Sequence, residues 1–277
     1  GFFVNCIKKN ESFKNRCKTE LADYYKWGSK NIEYDGTKAV YNLTESQDDY
    51  MAKIWLASHY FFNHEYGSIK TGKKLLKEAV NHLTEENNIK YSEYDPYEIP
   101  RELSWSLSLL SSQYLKEKDF KKAKKYGEEA LNILEESDVV NSGVHQDEIF
   151  EYDYVYINDL LFPVLYFIYD RKESGFQDRK KANYIFEKIK KKSDEECFLF
   201  IRSLYADKKL GINYEKSFEL VKKYEAAFRD DEYIHPRVLH SLGNHYFYGQ
   251  GTKASKEKAL DIFLQSARNY NDTFSMN

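Results

Sequence analysis

Seven histidines, His59, His64, His82, His145, His235, His240 and His245, are the side chains best suited to proton transfer or metal ligation. None stands in HxxxH or HExxH spacing, and no cysteine lies at a matching interval. His235, His240 and His245 step by five, which rotates around a helix instead of following one face. Structural or surface histidine is the expected role. Gly249-Gln250-Gly251 lacks the third glycine and the preceding strand of a dinucleotide loop. No GxxxxGK[ST] phosphate loop and no GxSxG nucleophile elbow occurs. A Cys–His pair that meets only in space would escape a linear reading. The expectation is therefore no enzyme, with no catalytic residue, no metal site and no cofactor.

Two segments carry a different chemistry. The first, NNIKYSEYDPYEIP, offers Tyr91, Glu93, Tyr94, Asp95 and Tyr97. The second runs from Ser137 into VHQDEIFEYDYVYIND, with Asp147, Glu148, Glu151, Tyr152, Asp153, Tyr154 and Tyr156. Tyrosine gives large contact area at low rotamer cost and keeps a polar tip, while neighbouring acids would steer a basic partner surface. These twelve residues are the candidate partner-binding set. The alternative is that the rings pack onto their own scaffold and leave the acids solvated. Tyr152, Tyr154 and Tyr156 alternate, which also admits a short strand. The lysine clusters Lys121-Lys122, Lys124-Lys125 and Lys188–Lys192 read as solvated helix faces.

The elements that would position these segments follow from composition. The 277 residues include 12 Gly and 4 Pro, about half the usual share, with 25 Tyr and 18 Phe. Tight turns are therefore few, which disfavours a sandwich or barrel and favours helices. With 42 basic against 45 acidic residues the net charge is -3, which argues against a nucleic-acid partner. No stretch approaches the roughly 18 to 20 apolar residues of a membrane helix.

The helices repeat. Leu242-Gly243, Tyr246, Gly249-x-Gly251, Lys258-Ala259, Phe263 and Ser266-Ala267 outline two antiparallel helices joined by a glycine turn. The pattern recurs at Leu56-Ala57, Tyr60, Gly67, Lys70-Thr71, Leu75 and Glu78-Ala79, and at Leu165, Tyr169, Gly175, Lys181-Ala182, Phe186 and Ile189. Ile201, Tyr205, Gly211, Lys216-Ser217 and Val221 form a weaker copy. Leu107, Leu110-Ser111, Tyr114, Phe120, Ala123 and Ala130 form a plainer one, and a degenerate first unit sits at Leu21, Tyr25, Gly28 and Lys38-Ala39. This spacing resembles the Sel-1-like repeat family, a relative of the tetratricopeptide repeats. The resemblance implies an all-α fold, an α-solenoid of stacked antiparallel helical hairpins over residues 15–271. Residues 1–14 would be a leader or tail and 272–277 a C-terminal tail, with insertions near 87–100 and 137–153.

The resemblance also implies a non-enzymatic role in which the partner is another protein. Bacterial members of the family include immunity proteins that neutralise secreted effectors, among them lipases delivered by type VI secretion, and envelope scaffolds or adaptors. An immunity protein is the first expectation and a general assembly scaffold the second. Phe2–Val4 followed by Cys6 reads either as the trimmed end of a signal peptide with a lipid anchor at Cys6, hence a periplasmic or envelope-associated chain, or as a cytoplasmic N-terminus. Cys6 could pair with Cys17, or Cys17 with Cys197; otherwise the thiols are isolated and buried.

Overall fold

The computed structural model describes residues 14–27, 35–62, 67–87, 98–136, 148–191, 195–227 and 236–270. Among them are twelve α-helices: α1 (Lys14–Trp27), α2 (Gly36–Thr44), α3 (Tyr50–Phe62), α4 (Ile69–Asn87), α5 (Glu98–Lys116) and α6 (Phe120–Glu136), followed by α7 (Glu148–Asp170), α8 (Arg179–Lys191), α9 (Glu195–Ala206), α10 (Tyr214–Ala227), α11 (Pro236–Tyr248) and α12 (Lys256–Tyr270). Each even-numbered helix starts behind a residue whose side chain accepts a backbone N–H of the first turn. These caps are Asp35 to Lys38 at 3.0 Å, Ser68 to Thr71 at 3.1 Å and Asp119 to Lys122 at 3.1 Å. Asp178 accepts from Lys180 and Lys181 at 3.0 and 3.1 Å, Asn213 from Lys216 at 2.9 Å and Ser255 from Lys258 at 3.3 Å. Capping fixes where the second helix of every hairpin begins.

The same residue closes the hairpin. The backbone N–H groups of Asp35, Asp119, Asp178, Asn213 and Ser255 donate to the carbonyls of Tyr25, Tyr114, Tyr169, Tyr205 and Tyr246, at 2.7 to 2.9 Å. Four residues after each cap stands a small residue: Ala39, Gly72, Ala123, Ala182, Ser217 or Ala259. These have little or no side chain to hold the two backbones apart. The second hairpin corrects the sequence register, which placed Lys70-Thr71 at this position. Thr71-Gly72 holds it, because a Cβ on Gly72 would come within 2.6 Å of the Phe61 ring.

The lysine before the small residue also has a repeated place. Lys38, Lys122, Lys181 and Lys258 lie over the rings of Tyr25, Tyr114, Tyr169 and Tyr246, their ammonium groups 5.1 to 5.5 Å from the ring centroids. At exposed sites each such contact contributes about 0.5–1 kcal/mol. These tyrosines mark the repeat, and Tyr25, Tyr114, Tyr169 and Tyr246 serve their hairpins through both carbonyl and ring. Replacing Asp178 with alanine removes a cap and is expected to cost about 1 kcal/mol. Urea unfolding of the variant checks this, and a loss no larger than that of an exposed control such as Lys180→Ala would contradict it.

The chain divides into two compact units, Gly1–Gln113 with Lys125–Gln146, and Tyr114–Lys124 with Asp147–Asn277. The described residues are all-α, hairpins stacked in sequence order within each unit, which is α-solenoid architecture. In the first unit α1 pairs with α2 and α3 with α4, and α3 also packs on α1 and α2. Ala22, Ala39, Leu43, Ile54, Leu56, Leu76 and Leu83 fill this core. Within it α5 buries Leu107 and Leu110 beside Ser104, Ser106, Ser108 and Ser111. The hydroxyls of Ser106 and Ser108 donate to the carbonyls one turn back, at 2.8 and 2.7 Å, so burial leaves them satisfied.

In the second unit α7 pairs with α8, α9 with α10 and α11 with α12. Helix α9 packs on α7, and α11 on α10. Aromatic rings run through this core: Tyr166 to Phe186, Phe186 to Phe198 and Phe198 to Tyr224, with centroids 6.2, 5.2 and 4.4 Å apart.

Candidate partner-binding surface

Of the candidate binding residues, Tyr91, Glu93, Tyr94, Asp95, Tyr97 and Asp147 lie outside the described residues. Glu148, Glu151, Tyr152, Asp153, Tyr154 and Tyr156 fall in the first turns of α7. This corrects the short strand admitted for Tyr152–Tyr156. In a strand, positions 152, 154 and 156 would share one face; in a helix a step of two turns about 200°, so 152 and 156 align and 154 does not. The second insertion is therefore partly a helical extension that runs without interruption into the core of the second unit.

Deeper in α7 lies a polar cluster that the sequence did not signal. Asp170, at the helix end, accepts from the Tyr205 hydroxyl and pairs with the Lys216 ammonium at 3.2 Å. Lys216 also reaches Glu219 at 3.3 Å. Burial, followed by the negative charge of Asp170, pushes the phenols of Tyr166 and Tyr205 well above their ordinary value. Both remain protonated, so Tyr205 is a hydrogen-bond donor at any working pH. The fifth hairpin departs from the repeat rule here. Its lysine leaves its own tyrosine and binds the carboxylate of the preceding hairpin, joining α7, α9 and α10 in one ion pair and one hydrogen bond. Lys223 lies nearby, its ammonium 3.4 Å over the Phe186 ring, and burial pushes it below the ordinary lysine value.

Three of the four described histidines show ring or hydrogen-bond contacts of a structural kind. His82 lies against Tyr50 and His240 against Phe263, with ring centroids 5.6 and 5.4 Å apart. His245 is buried, with Nδ1 2.7 Å from the Gln250 carbonyl and Nε2 3.2 Å from Ser217 Oγ. The carbonyl can only accept, so Nδ1 donates to it and Nε2 accepts from the serine. Among the described residues no three of His, Cys, Asp and Glu are grouped to hold a metal ion.

Burial lowers the His245 pKa below 6.5, with the Arg202 charge adding to the effect. The unfolded chain takes up the proton first as pH falls, so the stability from neutral His245 is present above about pH 6.5 and declines below it. His245→Gln should remove this part of the pH dependence. Urea midpoints at pH 7.5 and 5.5 test it: the gap between the two pH values should be smaller in the variant, and equal gaps would contradict the assignment.

Exposed aromatic surface is concentrated where no register position was expected. Tyr41, Tyr184, Phe247 and Tyr248 are largely exposed, as are Ile212 and Leu260. Phe247 and Tyr248 follow the marker Tyr246 directly and pack edge-on, with centroids 4.9 Å apart. Their signal was available as aromatic residues off the buried stripe. Cys17 is disulfide-bonded and Cys197 is a free, buried thiol, which removes both the Cys17–Cys197 pairing and an isolated thiol at Cys17. Cys6 lies outside the described residues. No described helix is long and apolar enough to cross a membrane.

No family model and no curated protein matches the sequence. Solved structures do. A protective antigen of uropathogenic Escherichia coli strains with an SLR fold aligns at 15% identity and TM-score 0.49, covering 97% of this chain and 49% of that one. This chain thus spans about half the length of that protein. A Sel1 repeat protein from Oxalobacter formigenes aligns at 13% identity and TM-score 0.49, covering 95% of this chain and 89% of that one. One from Klebsiella pneumoniae subsp. pneumoniae aligns at 15% identity and TM-score 0.39, with 84% and 94% covered. The chain is similar to these proteins; its hairpin fold stands on its own caps, tyrosine carbonyls and small residues.

Proposed function

We propose that the chain is a non-enzymatic scaffold that binds another protein through the Tyr/acid segments inserted between its hairpins. The observation that supports this best is the division of labour among tyrosines. The marker tyrosines Tyr25, Tyr114, Tyr169, Tyr205 and Tyr246 each accept a hairpin-closing hydrogen bond. The cluster from Tyr152 to Tyr156 has no place in that register and sits at the start of a helix whose far end anchors the second unit. Acid and tyrosine without a repeat role suit an interface with a basic partner.

The sharper form is an immunity protein that holds one secreted toxin, such as a type VI effector of the lipase class, in a tight one-to-one complex. It rests on family analogy, and the Tyr/acid chemistry is equally open to a general envelope scaffold. Affinity capture from an extract of the source organism, followed by calorimetry, separates them. One stoichiometric complex with a toxin supports immunity, several weak clients support the scaffold, and recovery of no stable partner sinks both.

An exported location fits the cystine at Cys17, since disulfides persist in oxidising compartments. The lipid anchor expected at Cys6 competes with this chemistry if Cys6 is the partner of Cys17, because a bridged sulfur cannot be acylated. Peptide mapping of natively expressed protein without reductant decides between them: a Cys6–Cys17 peptide removes the anchor, and an acylated Cys6 peptide removes the bridge.

A further inference from the structure

The second unit is basic along one edge. It comprises Tyr114–Lys124 and Asp147–Asn277, so it holds the turns between α5 and α6, α7 and α8, α9 and α10, and α11 and α12. Consecutive turns, with the helix starts behind them, touch. The Lys124 ammonium lies 5.5 Å from the Phe176 ring centroid, and Arg171 donates to the Gly211 carbonyl at 3.2 Å. Gly251 comes so close to Tyr214 that a Cβ would lie 2.0 Å from its carbonyl oxygen. Residues 116–122, 171–181, 207–216 and 249–258, which form this edge, hold fifteen lysines and arginines against seven acids. A chain of net charge -3 thus gathers positive charge at one place, where its field acts beyond pairwise contacts.

Folding does not require this charge. Helices α6 and α8 open with Phe-Lys-Lys and Arg-Lys-Lys and no acid in the first turn, although the positive end of a helix dipole disfavours cations there. Lys122, Lys181 and Lys258 lie over marker tyrosines, but Lys121 and Lys180 fall outside that rule. The α5–α6 turn goes left-handed on Lys118, φ 61°, where the other three turns use glycine.

The charge is interleaved with exposed apolar side chains. Ile212 in the α9–α10 turn is 43% exposed, and Phe247 and Tyr248, where α11 enters the last turn, are 42% and 66% exposed. Lys208 and Lys209 precede Ile212, and the Lys256 ammonium lies 5.9 Å from the Phe247 ring centroid. Lys118, Lys121, Lys172, Lys208, Lys209 and Lys253 are exposed, and none holds an ion pair among the described residues.

We propose that this edge docks the protein on an anionic phospholipid surface. The lysine ammonium groups meet headgroup phosphates as point charges, while Ile212, Phe247 and Tyr248 enter the boundary between headgroups and acyl chains. Composition separates this from a nucleic acid. Thirteen of the fifteen cations are lysines, without the fork that grips a phosphate or a base edge, and Arg171 is committed to Glu173 at 3.1 Å and to Gly211. Ile212 offers no ring for a base to stack on. The edge shares no residue with the Tyr/acid segments, so it stands whether or not those segments hold a protein.

Co-sedimentation of the full chain with vesicles tests this. Vesicles of equal parts phosphatidylglycerol and phosphatidylcholine should bind about tenfold or more tightly than phosphatidylcholine alone, and raised salt should weaken the binding. Lys208→Gln with Lys209→Gln should weaken it severalfold, as should Phe247→Ser with both lysines kept. Lys188→Gln with Lys190→Gln removes the same charge from the C-terminal half of α8 and should leave binding within about twofold. Circular dichroism establishes that the variants fold. Lys172→Gln with Lys253→Gln replaces the edge pair if it does not, and Tyr248→Ser replaces Phe247→Ser. Equal binding to the two vesicle types, or equal losses from the edge and α8 pairs, overturns the surface. Binding that survives the aromatic substitution, or tighter binding of a single-stranded oligonucleotide than of the charged vesicles, overturns the choice of lipid.

Discussion

Gly251→Val should lower the stability of the second unit by about 3 kcal/mol or more, because strain and overpacking act at one residue. Gly251 has φ +71°, in the left-handed region where a β-branched side chain is strained. A Cβ there would lie 2.0 Å from the Tyr214 carbonyl oxygen and 2.7 Å from the Glu215 nitrogen. These are backbone atoms at the start of α10, and no rotamer change moves them aside. The turn cannot shift freely either, since it leads into the Ser255 N–H to Tyr246 carbonyl bond that closes the last hairpin. Gly175 is the control. It has a similar φ of +75°, but nothing lies within 4 Å of its would-be Cβ, so Gly175→Ala carries the strain without the clash. Urea unfolding should rank Gly251→Val well above Gly175→Ala; equal losses would show that the α10 contact is absent.

Phe167→Ala should cost about 3–5 kcal/mol, the range for deleting a buried aromatic ring. Phe167 is wholly buried, its ring 4.9 Å from that of Tyr205 and under the Arg171 guanidinium at 5.2 Å. Removing it opens a cavity beside the tyrosine whose hydroxyl binds Asp170 between hairpins. The loss should therefore appear both in the urea midpoint and in the near-ultraviolet circular dichroism. Phe247→Ala removes the same ring from a site that is 42% exposed and should cost less than about 1 kcal/mol. Similar costs at the two sites would mean that the aromatic core is not where the structure places it.

The hairpins were legible because the repeat is written in residues with local duties. Tyrosine, a capping side chain and a small residue four positions later recur whatever the partner helices are. The second hairpin slipped by one because Thr71 and Gly72 are both small; only the approach of Phe61 distinguishes them. The α5–α6 turn has no glycine to read, and Lys118 adopts φ 61° in its place. The alternating tyrosines at 152, 154 and 156 suggested a strand, since a period of two is a strand signal over a short window. Helix won because the segment continues into the apolar run from Leu160 to Tyr169, and a helix pairs the backbone groups of the junction apart from the one hydrogen bond that Pro163, lacking an N–H, does not make. Arg202 was not legible at all. One arginine inside FLFIRSLYA carries no pattern, and only the folded chain shows its Nε enclosed without a hydrogen-bond partner.

Hydrogen exchange of the full chain, alone and with its captured protein partner, tests the central claim most directly. Caps, tyrosine carbonyls and small residues already order the hairpins, so their amides should change little. Protection should rise in residues 88–97 and in the stretch from 137 to 156, where tyrosine and acid have no repeat duty. Protection that rises only along the repeat helices, with both inserted segments exchanging as before, would contradict it.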